Sequence, residues 1–489
     1  MSDLQRKDKK RIQELMDASG VRFGTSGARG LVTGMTDEVC YAFTAAFLQT
    51  VPATTRCIAL GTDLRPSSPL IAAACAAAIR DAGLAVDYCG QLPTPALACH
   101  AQLCGVPAIM VTGSHIPFDR NGIKFYGVHG EILKDDEARI SQAEVCLPAT
   151  PLRAELPEVS PQASLGYIRR CLEFFPSGFL AGMRLGFYEH SSVARDLLKD
   201  ILQGFGAEVI SLGRTDAFVP IDTEAVSEAD LQRARAWAAE HRFDAIVSTD
   251  GDADRPLLGG ENGDWLRGDI VGILCARYLG ATAVVSTVSC NTALELCGAF
   301  AKTVRTRIGS PYVIEAIERL NAAGERNVVG FEPNGGFLVG SSIDRNGRQL
   351  SSLLTRDAVL PMLCLLAMAR EQGVRVSELP GSLPARYTAS DRLQSFSAEN
   401  SRALLAELRA GIDAGETVFG GLYGRVSGID QTDGLRIFFA NNAIVHLRPS
   451  GNAPELRCYA EADSSQKALE TVNNTLNYIK NKFVKNSSS

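Results

Sequence analysis

Three aspartates spaced by two, Asp250, Asp252 and Asp254, stand in the run Thr249-Asp250-Gly251-Asp252-Ala253-Asp254-Arg255. In an extended segment their carboxylates project to one side. Three hard oxygen donors converging on a point suit Mg²⁺ or Ca²⁺ better than a soft metal, and without a cation they repel one another. With Glu261 they also match the acidic positions of a calcium-binding helix-loop-helix. Arg255 stands where that loop needs glycine, Pro256 follows, and the preceding residues read as a strand, so that reading is set aside. The second chemical feature is Ile109-Met110-Val111-Thr112-Gly113-Ser114-His115-Ile116-Pro117, where an apolar run ends in a turn that offers a hydroxyl beside an imidazole. This predicts a strand ending in an exposed loop, the position from which a rigid scaffold presents a nucleophile. Ser114 lacks the Gly-x-Ser-x-Gly elbow of a hydrolase, which would also leave the aspartates unexplained.

Two further loops carry positive charge. Arg22-Phe23-Gly24-Thr25-Ser26-Gly27-Ala28-Arg29-Gly30 combines glycines, which let backbone approach a ligand, with arginines that grip an oxyanion in a fork. Leu447-Arg448-Pro449-Ser450-Gly451-Asn452-Ala453-Pro454-Glu455-Leu456-Arg457 follows an apolar run. Its Ser-Gly-Asn turn offers a hydroxyl, an amide and backbone N–H groups, the parts of an anion-binding nest. Each of these loops alone is equally a solvated polar turn.

The elements that must position these loops repeat. Cys57 to Gly61 reads as a strand, Leu70 to Ala82 as a helix stopped by Gly83, Ala85 to Cys89 as a strand, Thr94-Pro95 as a helix start, and Ala108 to Val111 as the strand delivering Ser114. The order recurs with strands at Arg184 to Tyr188, Glu208 to Ser211 and Ala245 to Ser248, and helices at Ser192 to Gln203 and Leu231 to Glu240; it delivers the aspartates. A third pass runs from Ala283 to Ser286 through a helix at Thr292 to Ala301 and on to Val328–Gly330, delivering Phe331-Glu332-Pro333-Asn334-Gly335-Gly336. Strands alternating with helices predict parallel or mixed sheets covered by helices, with ligands beyond the carboxyl ends of the strands. After Gly373 the repeat stops. Strands at Gly434 to Phe439 and Ala443 to Leu447 and a helix near Gln466 to Phe483 read as a smaller α+β domain. The expected fold class is therefore α/β: three related α/β domains with mixed sheets at 1–155, 156–268 and 269–373, plus a C-terminal α+β domain at 374–489, around a central cleft.

Composition narrows the function. With 49 basic and 55 acidic residues among 489, the chain has no basic block of the kind that tracks a nucleic-acid backbone. The charged N-terminus lacks the apolar core of a secretion signal and no stretch reaches membrane-spanning length, so a cytoplasmic protein without a membrane partner is expected. The 13 cysteines are scattered without CxxC pairs, suggesting buried reduced thiols and neither a zinc site nor a disulfide framework. Oligomeric state, monomer or homodimer, is not encoded in these patterns.

Taken together, the loops Phe23 to Gly30, Thr112 to Pro117, Asp250 to Arg255 and Arg448 to Asn452 resemble the signature loops of the α-D-phosphohexomutase family, in the family's order and spread over nearly the whole chain. The resemblance implies that Ser114 is carried as a phosphoserine. It implies one Mg²⁺ per chain, held by Asp250, Asp252, Asp254 and a phosphoserine oxygen of Ser114. Arg29 and Arg255 would steady the transferred group, Lys124 and His115 would serve as acid/base groups, and Glu332 and Asn334 would read the sugar. Arg448, Ser450 and Asn452 would bind the non-reacting phosphate, Gly451 and Arg457 of the same loop would also bind substrate, and Arg307 matches a basic substrate-binding position more loosely. Hexose 6-phosphate and hexose 1-phosphate would interconvert through a hexose 1,6-bisphosphate, which is both intermediate and activator. Two positions depart from the family pattern: Ile116 replaces an asparagine in the serine loop, and Gly336 stands where relatives have a histidine. Mannose phosphate is the first expectation for the substrate. Glucose phosphate or dual specificity comes second, then glucosamine phosphate or a non-catalytic sugar-phosphate-binding protein.

Overall fold

The computed structural model describes residues 8–24, 27–148, 152–450 and 454–486, so Thr25, Ser26, Gly451 and Asn452 of the candidate loops lie outside the described residues. The chain divides into two compact units, Met1–Val285 with Gly309–Pro380, and Ser286–Ile308 with Gly381–Ser489.

In the first unit the alternation becomes mixed sheets. Strand Cys57–Thr62 lies between Ala85–Gln91 and Ala108–Val111, parallel to both. Arg184–Tyr188 likewise runs parallel to Glu208–Leu212 and Ala245–Thr249. Each strand that delivers a polar loop then turns back on itself. Ala108–Val111 pairs antiparallel with Arg120–Gly127, Ala245–Thr249 with Pro256–Gly260, and Val328–Phe331 with Phe337–Val339. The serine, aspartate and Glu332 loops are thus turns of three equivalent hairpins. Ala28–Leu31 adds antiparallel to Arg120–Gly127, and Leu353–Asp357 to Phe337–Val339.

Local chemistry sets the helix limits. Thr94–Cys104 begins with a proline in its first turn, whose missing N–H would be unpaired anyway, and ends at Gly105 with φ 65°. Val359–Gln372 stops at Gly373, also left-handed. Two expected helices are shorter than the sequence suggests. Leu197–Gly204 starts late because the hydroxyl of Ser192 accepts from the N–H of Ala194, which favours a turn over a helix. The helix expected over 292–301 is only Ala293–Leu296, since Gly298 with φ 61° ends it and Lys302–Thr306 forms a strand.

The second unit contains a five-stranded antiparallel sheet in the order Tyr387–Leu393, Leu456–Ala462, Ile444–Pro449, Leu435–Phe439, Val426–Asp430. Its apolar residues pack with helices Ala398–Asp413 and Ser465–Asn486. His446 is buried in this sheet, donates from Nε2 to the carbonyl of Asp433 at 2.6 Å and, among the described residues, leaves Nδ1 without a hydrogen-bond partner. Burial pushes its pKa down from 6.5 to about 4, although the Asp433 carbonyl pulls the other way. The sign follows: above pH 6.5 both folded and unfolded forms are neutral, and below it only the unfolded chain gains the proton. The stability of this unit is expected to be flat above pH 6.5 and to fall by about 3 kcal/mol as the pH drops toward 4. Urea titrations of wild type and His446→Gln across that range check it, the variant losing this part of the acid dependence.

Candidate active site

Ser114 sits at the turn of the first hairpin with φ 53°, a left-handed conformation that a non-glycine residue adopts only when its surroundings enforce it. The enforcing group is Arg65. Its guanidinium donates to the carbonyls of Ser114 (2.9 Å), Ile116 (2.5 Å), Pro117 (2.8 Å) and Arg120 (2.9 Å), and its Nε to Asp63 (3.2 Å). The same Asp63 carboxylate accepts from the Thr112 hydroxyl at 2.8 Å, and that hydroxyl accepts the Ser114 N–H at 2.8 Å. A Cβ on Gly113 would lie 2.6 Å from the Arg65 guanidinium, which is why that position is glycine. The loop is therefore held through its backbone carbonyls, so Ile116 in place of an amide leaves it fixed. Sequence reasoning missed Asp63 and Arg65. The available signal was their position just past strand Cys57–Thr62, which runs parallel to Ala108–Val111 and so ends on the same side of the sheet as the Ser114 loop.

The clamp also buries Ser114, so the expectation of an exposed turn is corrected. Its Oγ donates to Asp250 Oδ2 at 2.7 Å and lies 3.3 Å from His115 Nδ1. The Asp250, Asp252 and Asp254 side chains are all buried, with oxygens within 4.8 Å of one another. Asp250 Oδ1 accepts the N–H groups of Asp254 and Arg255, both at 3.2 Å. Asp252 Oδ2 accepts from Thr94 Oγ1 and Lys124 Nζ, both at 2.6 Å. Asp254 Oδ2 accepts from Lys124 at 2.8 Å and from Arg356 at 2.8 and 3.1 Å. Asp252 Oδ1 and Asp254 Oδ1 remain buried and, among the described residues, without a hydrogen-bond partner. Buried carboxylate oxygens are costly to leave unpaired, and these complete a hard donor set with the Asp250 oxygen at Ser114. The residues fit a divalent cation of the magnesium class.

Lys124 projects from the return strand Arg120–Gly127, opposite Met110. Burial opposes its charge, but Asp252 and Asp254 outweigh burial and raise its pKa, so it is a cation. Asp254 is held ionised by Arg356, Lys124 and Arg255 against its burial, whereas burial and the two neighbouring carboxylates push Asp250 well up. Arg255 Nε lies 3.6 Å from Asp254 and 3.9 Å from Asp250. Arg29 feels burial first and then the charges of Arg255 and Arg356, which bring it down to about 10. His115 is driven to the neutral form by burial and by the same cluster, Arg255 and Arg29 foremost. Neutral, it presents a ring nitrogen as a hydrogen-bond acceptor.

Arg356, on strand Leu353–Asp357, was not foreseen. It is buried, joins Asp254 to Glu332 Oε1 (3.0 Å), and so ties the aspartate loop to the Glu332 loop. It also fills the space beside Gly336, where a Cβ would meet Arg356 Cδ at 2.6 Å. The position that carries a histidine in the family pattern is therefore occupied by an arginine from a neighbouring strand. Asn334 shapes its own loop, its Oδ1 accepting the Gly336 N–H at 2.9 Å.

The first unit thus brings together Ser114, His115, Lys124, Arg29, Arg255, the three aspartates and Glu332. In the second unit Arg448 donates to Asp433 Oδ2 at 2.8 Å, and the same carboxylate oxygen accepts the Ile308 N–H at 3.0 Å. Arg307 donates to the Thr432 carbonyl at 3.3 Å, Arg448 lies opposite Arg457 in the sheet, and the Ser450 N–H bonds the Glu455 carbonyl at 2.8 Å. Arg307, Arg448, Ser450 and Arg457 are therefore grouped at one end of this sheet.

Comparison with known proteins places these loops in a family. Models of phosphoglucomutase/phosphomannomutase α/β/α domain I, α/β/α domain III and C-terminal domain match residues 20–144, 267–387 and 388–477. A phosphomannomutase of Salmonella muenchen is 50% identical, over 96% of this chain and 98% of its own. A phosphomannomutase of Sinorhizobium fredii is 44% identical, over 92% and 96%. Among solved structures, a phosphoglucomutase/phosphomannomutase family protein from Burkholderia thailandensis superposes with a TM-score of 0.72 at 19% identity, covering 93% of this chain and 96% of that one, a likeness of fold.

Proposed function

Since the chain belongs to the phosphoglucomutase/phosphomannomutase family, we propose that it is a phosphomannomutase that interconverts mannose 6-phosphate and mannose 1-phosphate through a phosphoserine at Ser114 and a bisphosphate intermediate. The observation that carries this reading is the Ser114 hydroxyl 2.7 Å from a carboxylate of the buried aspartate triad, in a chain half identical to a curated phosphomannomutase. Phosphoryl transfer asks for alignment and charge neutralisation more than covalent chemistry. Asp250, Asp252 and Asp254 would hold Mg²⁺, which supplies charge neutralisation for the phosphoryl group on Ser114.

The chain's own residues account for the rest. The bond from phosphorus to Ser114 Oγ breaks as one forms to a sugar hydroxyl oxygen. The hydroxyl proton ends on Ser114 Oγ, with neutral His115, 3.3 Å away, and Lys124 as the carriers. Arg29 and Arg255 balance charge around the transferred group. Glu332, steadied by Arg356, accepts hydrogen bonds from the sugar. Arg307, Arg448, Ser450, Gly451, Asn452 and Arg457 hold the other phosphate. The bisphosphate then turns end for end and returns its second phosphate to Ser114. The division into domains at 1–155, 156–268, 269–373 and 374–489 and a cytoplasmic setting belong to the same proposal. Coupled assays on mannose 1-phosphate, glucose 1-phosphate and glucosamine 1-phosphate test it. Mannose 1-phosphate is expected to give the highest kcat/KM; turnover of none would refute mutase activity, and a clear preference for glucose 1-phosphate would reassign the substrate.

A further inference from the structure

Away from this site, the described residues bring together a second group of metal-type ligands: Asp87, Cys89 and His100 each offer an atom, all within 4.8 Å of one another. Secondary structure explains the convergence. Asp87 and Cys89 are two apart on strand Ala85–Gln91 and project from one face, whereas His100 and Cys104 are four apart on helix Thr94–Cys104 and share one stripe. His100 Nε2 lies 2.7 Å from Asp87 Oδ2, and Cys104 Sγ lies 3.8 Å from Nδ1 and 3.9 Å from Nε2 of the same ring. Ligands on a tetrahedral zinc at ordinary Zn–N and Zn–S lengths stand about 3.6 Å apart, so the imidazole and thiol are already near that spacing. Cys89 is buried, and burial followed by the charges of Asp87 and Cys104 raises its thiol to about 12. Its partners open outward: the His100 and Asp87 side chains are 10% and 26% exposed, and Cys104 is exposed. An ion has a way in.

We propose that Asp87, Cys89, His100 and Cys104 form a binding site for a thiophilic divalent cation of the zinc class, separate from the all-oxygen site at Ser114. Asp87, Cys89 and His100 supply the three converging ligands, and Cys104, beside the His100 ring, brings a second sulfur to complete a four-coordinate set whose thiolates exclude Mg²⁺ by ligand type. On binding, both thiols release their protons to the buffer and the imidazole supplies the lone pair of one ring nitrogen. The bound ion fastens strand Ala85–Gln91 to helix Thr94–Cys104. The opposite end of that helix is tied to the aspartate triad, since Thr94 donates from its N–H to the Asp252 carbonyl at 2.9 Å and from Oγ1 to the Asp252 carboxylate at 2.6 Å. The absence of CxxC pairs concealed the site, because its ligands are spaced D-x-C and H-x₃-C on two different elements.

The test is titration of the full-length protein, in excess Mg²⁺, with Co²⁺ and then Zn²⁺. A thiolate-to-cobalt charge-transfer absorption is expected, lost on adding about one equivalent of Zn²⁺ in line with a single closed site, together with a higher melting temperature in zinc. Cys89→Ser and His100→Ala are each expected to weaken zinc binding by more than the roughly 10–100-fold that losing an outer-shell partner costs such a site. Cys104→Ser changes an exposed position and reduces the absorption without threatening the fold. Asp252→Ala, in the other site, retains it. No charge-transfer band in the wild type, a band undiminished in the three ligand variants, or a band lost only in Asp252→Ala would overturn the proposal.

Discussion

Replacing Ser114 by alanine is expected to abolish mutase turnover, with kcat reduced roughly 10⁴-fold or more, the scale set by removing the nucleophile of a covalent mechanism. Among the described residues, only this one combines a hydroxyl, a hydrogen bond to the aspartate triad and a backbone carbonyl held by Arg65. The substitution removes one oxygen from a site whose loop is held mainly by Arg65, Asp63 and Thr112 through backbone groups, so the fold should persist. Intact-mass spectrometry supplies the companion measurement. Wild type treated with hexose bisphosphate gains a phosphate-sized increment that Ser114→Ala lacks. An equal increment in the variant would move the phosphoryl carrier elsewhere.

Arg356→Ala is expected to be strongly damaging although it leaves every signature loop intact. Both partners of this guanidinium, Asp254 and Glu332, are buried, and removing one member of a buried charge network costs about 3–5 kcal/mol because the others are left uncompensated. Burial disfavours the arginine's charge, but Asp254 and Glu332 more than restore it, so the group is a permanent cation between the two loops. Arg356→Lys separates stability from positioning. A single ammonium cannot span Asp254 and Glu332 as a guanidinium fork does. Denaturant titrations should show this variant closer to wild type than Arg356→Ala, while its kcat/KM stays well below wild type. Gly336→Ala should act through the same contact, since its methyl would meet Arg356 Cδ at 2.6 Å while the guanidinium is pinned at its far end. Wild-type stability in Arg356→Ala, or wild-type kinetics in Gly336→Ala, would show that the bridge does not organise the site.

The sequence by itself determined which loops are candidates to carry chemistry. Alternating apolar strands and capped helices place polar segments at strand ends, and the strand Ala108–Val111, the strand at Arg184–Tyr188 and the helix start at Thr94 are where local pattern puts them. Aspartates two apart and glycines beside arginines are equally local signals, which is why Ser114, the triad, Glu332 and Arg448 stand out in the sequence as candidates. Tertiary structure decided how those groups are paired. Lys124 meets Asp252 and Asp254 because an antiparallel return strand sets Lys124 opposite Met110, and Arg356 reaches Gly336 and Glu332 because strand Leu353–Asp357 pairs with Phe337–Val339. Strand register between distant segments follows from the packing of whole sheets and leaves no trace in local periodicity. The Arg65 clamp, the arginine beside Gly336 and the convergence of Cys89 with His100 are of that kind: ordinary residues in the sequence, given their roles by the elements folded against them.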